Sequence, residues 1–364
     1  MPESSPRPVL IWGSAPAPGL EAFEAALAPH AGGPLRRLPP ASSRAVLADA
    51  LAQAQALIVE PAAPGAPPGG RPSPGGRPSP GGRPSPGAPP LSTVLAAAMQ
   101  ARVPVIDRGW ADPGRLAALM PFDGPARDAT VPIVIEADPA RGLAGLLGRA
   151  LAGACPGVAR LSLVVVAGAR AWSAAHGPGA LRYWLEATRR AVPGALIEGE
   201  WRRVPVRHAP VHVFAPPLGR RRAFLFLSAD LRGLAGALPG LTHLTLGRCG
   251  FGPRLDYGVA PLGRLLAGLG LGAVADRMMR ALAPARDDTG LMLHAIAEDG
   301  AGTPLGTVSV SHPDPAVLEA AVCAHALEAA RAGAGAPGVA PLGLWADPPA
   351  FLATLKTHGV RVIS

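Results

Sequence analysis

The residues best placed to do chemistry lie within VLIWGSAPAPGLEAF, Val9 to Phe23. An apolar run, Val9 to Trp12, is followed by Gly13, a short turn, Pro18-Gly19 and the amphipathic stretch Leu20 to Ala28. A strand, a tight turn and a helix in this order open a βαβ unit of the dinucleotide-binding kind, in which backbone N–H groups at the helix start hold the pyrophosphate. With Gly19 as the third glycine of a G-x-G-x-x-G fingerprint, the first two positions hold Ser14 and Pro16. Proline at the second position adds a ring and removes a donor where the backbone must approach the phosphates. Ser14 still offers a hydroxyl and an N–H. On this reading Gly13, Ser14 and Gly19 line the pyrophosphate, although Gly19 also suits close helix–strand packing with no cofactor at all.

A second strand falls within Ala31 to Pro40, AGGPLRRLPP, which has no acid to meet ribose hydroxyls. Arg36 and Arg37 stand there instead. Arginine at this place meets a 2′-phosphate, which favours NADP over NAD, and the same pair also fits a solvated Pro-rich loop. Asp107, at the end of a later strand, would sit at the mouth of the site. His176, in the loop HGPG, is the histidine suited to acid/base work, since loops carry function and imidazole titrates near neutrality. His208 and His212 have the spacing of a helical metal pair, but Pro205 and Pro210 make the segment extended and remove that meaning. His312, between Ser311 and Pro313, reads as a turn residue. The chain has no H-E-x-x-H, Walker A or G-x-S-x-G run, so hydrolase, kinase and metal chemistry find no motif.

The elements that must position these residues alternate at first. A helix from Ser42-Ser43 to about Gln55 precedes the strand Leu57–Val59. A helix over Leu91 to Arg102 precedes the strand Val103–Ile106, and Val131–Ile135 is a further strand. This alternation predicts a parallel sheet covered by helices, with ligands at the carboxyl ends of the strands near Gly13, Glu60 and Asp107. Between them, GGRPSP occurs three times from Gly69 to Pro86, a tract that cannot bury apolar surface. From about Ala137 the pattern changes to strands at Leu161–Val166, Val211–Phe214, Ala223–Leu227, Thr242–Leu246, Leu291–Ala297 and Thr307–Val310. The helices Pro178–Arg190 and Ala260–Ala281 interrupt them, which predicts an α+β domain. Helices over Pro315 to Ala332 and Pro348 to His358 close the chain. The expected organisation is α/β: a Rossmann-like domain over 1–136 with a low-complexity insert at 61–90, an inserted α+β domain over 137–312, and C-terminal helices over 313–364 returning to the first.

Composition bounds the partners. The net charge is +9, but Lys356 is the only lysine among 34 basic residues, and arginine rises together with alanine, glycine (46) and proline (45). These four residues share GC-rich codons, so the charge reads as genome bias. Arginines spread along the chain with 4% aromatics do not make a nucleic-acid footprint. Cys155, Cys249 and Cys323 form no C-x-x-C pair, which suits a reducing cytoplasm. Val9–Trp12 is too short for a signal peptide, and Val259 to Ala275 is broken by Arg264, glycines and prolines, so no membrane partner is expected.

Several stretches, taken in order, resemble the saccharopine dehydrogenase family, especially its bacterial saccharopine dehydrogenase-like members. VLIWGSAPAPG matches the family's first strand and glycine turn, LIVEPAAPG its next strand-loop, and LAAAMQARVPVIDRG a helix leading to a strand that ends in Asp. IEADPARGLAGLLGRAL is similar to the turn that begins its second domain, within which EGEWRRVPV, PPLGRRRAFLFLSADL and ALPGLTHLTLG follow the family order. The resemblance implies an NAD(P)-dependent oxidoreductase acting on a small organic, amino-acid-derived substrate, and a homodimer. It also implies arginine forks for substrate carboxylates, for which Arg170, Arg220, Arg221 and Arg222 are best placed in sequence order. The chain departs from the family at Ser14, Pro16, Pro64-Gly65 and Ala140, all on the ligand side. Those departures define a rival reading: a catalytically inactive relative that serves as a binding or interaction protein.

Overall fold

The computed structural model describes residues 6–13, 18–39, 42–60, 90–109, 113–176, 180, 192–205, 208–214, 218–250, 262, 265–266, 269, 271–282 and 290–364. Ser14, Pro16, the GGRPSP repeats and nearly all of the helix expected over Pro178–Arg190 lie outside these residues.

The first half builds strands β1 (Val9–Trp12), β2 (Leu35–Leu38), β3 (Ala56–Val59), β4 (Val105–Asp107) and β5 (Pro132–Ile135). Between them run helices α1 (Pro18–Leu27), α2 (Arg44–Ala52), α3 (Leu91–Gln100), α4 (Pro113–Leu119) and α5 (Asp123–Asp128). The short apolar runs VLIW and ALIV are buried on both faces, as strands of a helix-covered parallel sheet must be. With β15 (Gly338–Pro341) from the far end of the chain, they form a six-stranded sheet in the order β15-β5-β4-β3-β1-β2, parallel throughout. The order reverses between β1 and β3, so the switch-point crevice opens at their carboxyl ends. Among the described residues the edge on the β2 side stops at β2, whereas the full dinucleotide order continues through one more strand.

A π-helical turn, Pro139–Leu143, leads into α6 (Ala144–Ala154) and the second domain. There follow β6 (Arg160–Ala167), α7 (Ala169–His176), β7 (Gly194–Ile197), β8 (Glu200–Arg203), β9 (Val211–Val213), β10 (Arg220–Arg222) and β11 (Phe224–Leu225). After them come α8 (Ala229–Ala237), β12 (His243–Cys249), α9 (Gly272–Leu282), β13 (Leu291–Glu298) and β14 (Pro304–His312). The chain ends with α10 (Pro315–Arg331), β15, the short α11 (Leu342–Trp345), α12 (Pro348–Thr357) and β16 (Arg361–Ile363). The second sheet is mixed, in the order β16-β14-β13-β6-β12-β7-β8 with β11 beside β12. Only β6 and β12 run parallel in it. The C-terminal segment thus supplies a strand to each sheet.

Several helix starts are written in the sequence as Asp-Pro. Asp138, Asp314 and Asp347 each accept a backbone N–H of the first turn, and Pro139, Pro315 and Pro348 occupy the position that lacks a helical partner in any case. One continuous core joins β1, α1 and α10 to the inner face of the second sheet through Ile11, Phe23, Leu163, Val165, Leu318 and Val322. The strand expected over Ala223–Leu227 is shortened to Phe224–Leu225, which joins β12, and the preceding Arg220–Arg222 pairs with Val211–Val213 as a separate ribbon.

Candidate functional site

The carboxyl ends of β1, β3 and β4 bring together Gly13, Glu60, Asp107 and Arg108. Glu60 follows β3, and its N–H donates to the Trp12 carbonyl at 2.9 Å, fixing its backbone beside the end of β1. Its side chain then lies across Gly13: a Cβ at that glycine would fall 2.5 Å from the Glu60 Cβ. Arg108 Nη1 donates to Glu60 Oε1 at 2.5 Å and Nη2 to Glu319 Oε2 at 2.7 Å. Its guanidinium stacks 3.6 Å from the centre of the Phe23 ring on α1. Glu319, on α10, uses its other oxygen to accept from His176 Nε2 at 2.7 Å. The His176 ring is closed on its other side as well, since Nδ1 meets the Trp172 carbonyl at 2.9 Å and the ring stacks on Trp172 with centroids 4.0 Å apart.

These groups form one chain, Glu60–Arg108–Glu319–His176, in which acid and base alternate. Burial alone would raise the carboxyl of Glu319, but His176 and Arg108 outweigh it and hold the group at about 2. Burial would likewise lower His176, and the carboxylate of Glu319 overrides it, so the imidazole titrates above its ordinary value. Both ring nitrogens therefore carry protons, because each faces an oxygen that only accepts. For Glu60, burial is the larger effect and raises the carboxyl despite the opposing Arg108.

The other residues singled out from sequence are placed as follows. Asp107 is buried, with Oδ1 accepting from Gly109 N–H at 2.8 Å and from Arg115 at 2.6 Å. Arg36 lies in the middle of β2, opposite Leu10, and is exposed. Arg37 pairs with Glu24 of α1 at 2.5 Å. Gly19 falls in the first turn of α1. His176, expected in a loop, is the last residue of α7, because the apolar face of that helix, Trp172 and Ala175, packs inward and carries it there. Arg170 is exposed on the same helix. Arg220, Arg221 and Arg222 stand on the β9–β10 ribbon, which packs over Val164 and Val166. Successive strand residues face opposite ways, so these two valines look away from the core that Leu163 and Val165 enter. The structure thus joins His176 to the strand ends and leaves Arg220 and Arg221 across the second sheet from them. Arg108 and Glu319 were not found from sequence. The available signal was an acid at position 319 flanked by alanine and aliphatic residues, Pro315–Leu318 before it and Ala320–Val322 after it.

A second acidic group lies behind β5. Glu136 has a left-handed backbone, φ +55°, and its Oε2 accepts the Asp230 N–H at 2.9 Å while Oε1 is buried without a partner. Burial raises its carboxyl to about 7, against the lowering effect of Arg141. Asp230, in the first turn of α8, is buried against Gly145 and Gly343, and burial with the nearby Glu136 raises it well above the usual range.

The class defined by this fold is a two-domain Rossmann-like protein with a second α+β domain. The chain is similar to the apo form of saccharopine dehydrogenase (L-Glu forming) from Saccharomyces cerevisiae, at 11% identity and a TM-score of 0.58 over 98% of this chain and 100% of that one. A putative myo-inositol dehydrogenase from Sinorhizobium meliloti 1021 (TM-score 0.35, 11% identity, 98% and 99% coverage) is far less similar. So is an NAD binding oxidoreductase from Klebsiella pneumoniae (TM-score 0.30, 11% identity, 82% and 74% coverage). No family model matches, and no curated protein does. Among the described residues no helix is long and apolar enough to cross a membrane, and no group of three or more ligating side chains is placed to hold a metal ion.

A dinucleotide is the cofactor such a fold implies, and the described side chains do not suit one. Glu60 packs where a side chain on Gly13 would lie. Glu60 and Asp107 oppose a diphosphate, and both Nη groups of Arg108 are already bonded to acids. At the adenosine end, β2 terminates in Leu38-Pro39, with no acid among the described residues there to meet the ribose hydroxyls.

Proposed function

We propose that this chain is a catalytically inactive relative on the scaffold of saccharopine dehydrogenase, acting as a binding or interaction protein. The observation that supports this reading is the state of His176. A general acid or base needs one ring nitrogen directed at substrate, and here one serves Glu319 and the other the Trp172 carbonyl. With Arg108 spent on two carboxylates, the corner that would host hydride transfer acts as an internal strut between the domains.

The second reading is an NAD(P)-dependent oxidoreductase acting on a small organic, amino-acid-derived substrate. The likeness to a saccharopine dehydrogenase over nearly the whole chain favours it. In it Gly13, Ser14 and Gly19 hold the pyrophosphate, Arg36 a 2′-phosphate, Asp107 the mouth of the site, His176 the proton, and Arg170, Arg220 and Arg221 the substrate carboxylates. Titration with NADPH and NADH separates the two. The inactive reading expects no saturable change in nicotinamide fluorescence or melting temperature with either nucleotide at millimolar concentration. Saturable binding of either one overturns it, and Arg36→Ala then tests the preference for NADPH. The homodimer that the resemblance implies is read independently by sedimentation velocity.

A further inference from the structure

Two turns beyond Glu319, α10 presents a different face, which with α11 and α12 encloses a groove of about 240 Å³. Its walls are largely the methyl groups of alanines, among them Ala329 and Ala350, so the space exists because these side chains are small. One wall is the indole of Trp345, which packs against Gly335 and whose Nε1 is already used at 3.0 Å on the Ala336 carbonyl. The polar groups of the lining are Glu328, Asp347 and His325, and among the described residues neither lysine nor arginine contributes to it. His325 is only 9% exposed, packs against the Phe351 ring at 4.3 Å, and has an Nδ1 that is buried without a partner.

Two carboxylates at the rim and an aromatic ring beside alanine methyl groups, with no cation among them, select a ligand that is positively charged and carries a short apolar body. An anion would meet only like charge there. We propose that this groove binds a short aliphatic amine, its ammonium directed to Glu328 and Asp347 and its methylenes laid on the alanines beside Trp345. Burial together with the nearby His358 lowers the imidazole of His325 to about 4, so it stays neutral at pH 7 and does not repel the ammonium. The site is separate from the strand-end chain and does not depend on whether a nucleotide binds.

The test uses the full chain labelled with fluorotryptophan, the Trp345 resonance being identified by its loss in Trp345→Phe. Putrescine is the probe and butanoate, of similar size and opposite charge, the control. Expected is a saturable movement of the Trp345 signal with putrescine and none with butanoate. Glu328→Gln combined with Asp347→Asn, which keeps a capping side chain on α12, should weaken binding by about five- to tenfold, the scale of two exposed charge contacts. Ala329→Leu, which fills the groove, should abolish it while circular dichroism shows the fold retained. An unmoved Trp345 signal, equal binding of butanoate, or undiminished binding in folded Ala329→Leu overturns the proposal.

Discussion

Replacing Glu136 by glutamine should stabilise the protein at pH 8 and change it little near pH 4.5. The carboxyl is fully buried, and one oxygen accepts the Asp230 N–H while the other has no partner. Burial raises it from 4.5 to about 7. The unfolded chain therefore loses this proton near pH 4.5 and the folded protein only near pH 7. Between these values the folded state binds more protons, so stability is present below 4.5 and falls as pH rises to 7. The difference corresponds to about 3 kcal/mol at 1.36 kcal/mol for each pH unit. Glutamine keeps an oxygen for the Asp230 N–H and carries no charge, so the variant escapes this loss, and Asp230 is relieved of a neighbouring charge that raises its own carboxyl. Urea unfolding of both proteins at several values from pH 5 to pH 8 gives the difference directly. His176, raised by Glu319, also loses stabilisation as pH rises from 6.5 through its folded value, but that contribution is common to both proteins and cancels. A stability difference that stays flat with pH, or a variant less stable throughout, would refute the reasoning.

Three further outcomes follow from the same interior. Glu319→Gln removes the acid that joins Arg108 to His176 and should destabilise the protein by about 3–5 kcal/mol, the range for breaking a buried ion pair. The His176 ring should then titrate at lower pH, which proton NMR of the histidines would show. Gly145→Ala places a methyl group against the Asp230 carboxylate and should lower the melting temperature, whereas Gly153→Ala, where nothing lies within 4 Å, should not. Cys323, whose thiol burial pushes up to about 12, should resist alkylation in the native protein while half-buried Cys155 reacts, and label only on unfolding, as mass spectrometry would show.

The architecture was legible because its signals are local. Buried strands such as VLIW and ALIV are continuous apolar runs, the Asp-Pro pairs start helices, and the change of rhythm after Ala137 marks the mixed sheet. The site was legible only in part. The sequence places Asp107 at a strand end, where it lies, but gives no sign of Arg108 beside it, whose meaning depends on Glu319, 211 residues later. His176 was found and misplaced, because HGPG looks like a loop until Trp172 and Ala175 are seen to bury a helix face. The arginines of GRRR showed charge in the sequence but not direction. Only the pairing of β10 with β9, over the outer valines of β6, removes them from the strand ends.

On the inactive reading, the ion chain also accounts for how a dinucleotide-type scaffold holds together with no dinucleotide bound. On that reading the switch-point corner at the carboxyl ends of β1 and β3 has no cofactor to join the two domains. Left empty, it would expose apolar helix faces or bury unsatisfied strand ends, each costly. Here Glu60 and Arg108 from the first sheet, Glu319 from α10 and His176 from α7 occupy the same corner with alternating charge. Such a chain need not add net stability, since well-packed apolar residues often do as well. What it supplies is register. Each charge is satisfied only when segments distant in sequence meet in one arrangement, so the docking of the second domain onto the first is specified by these four side chains.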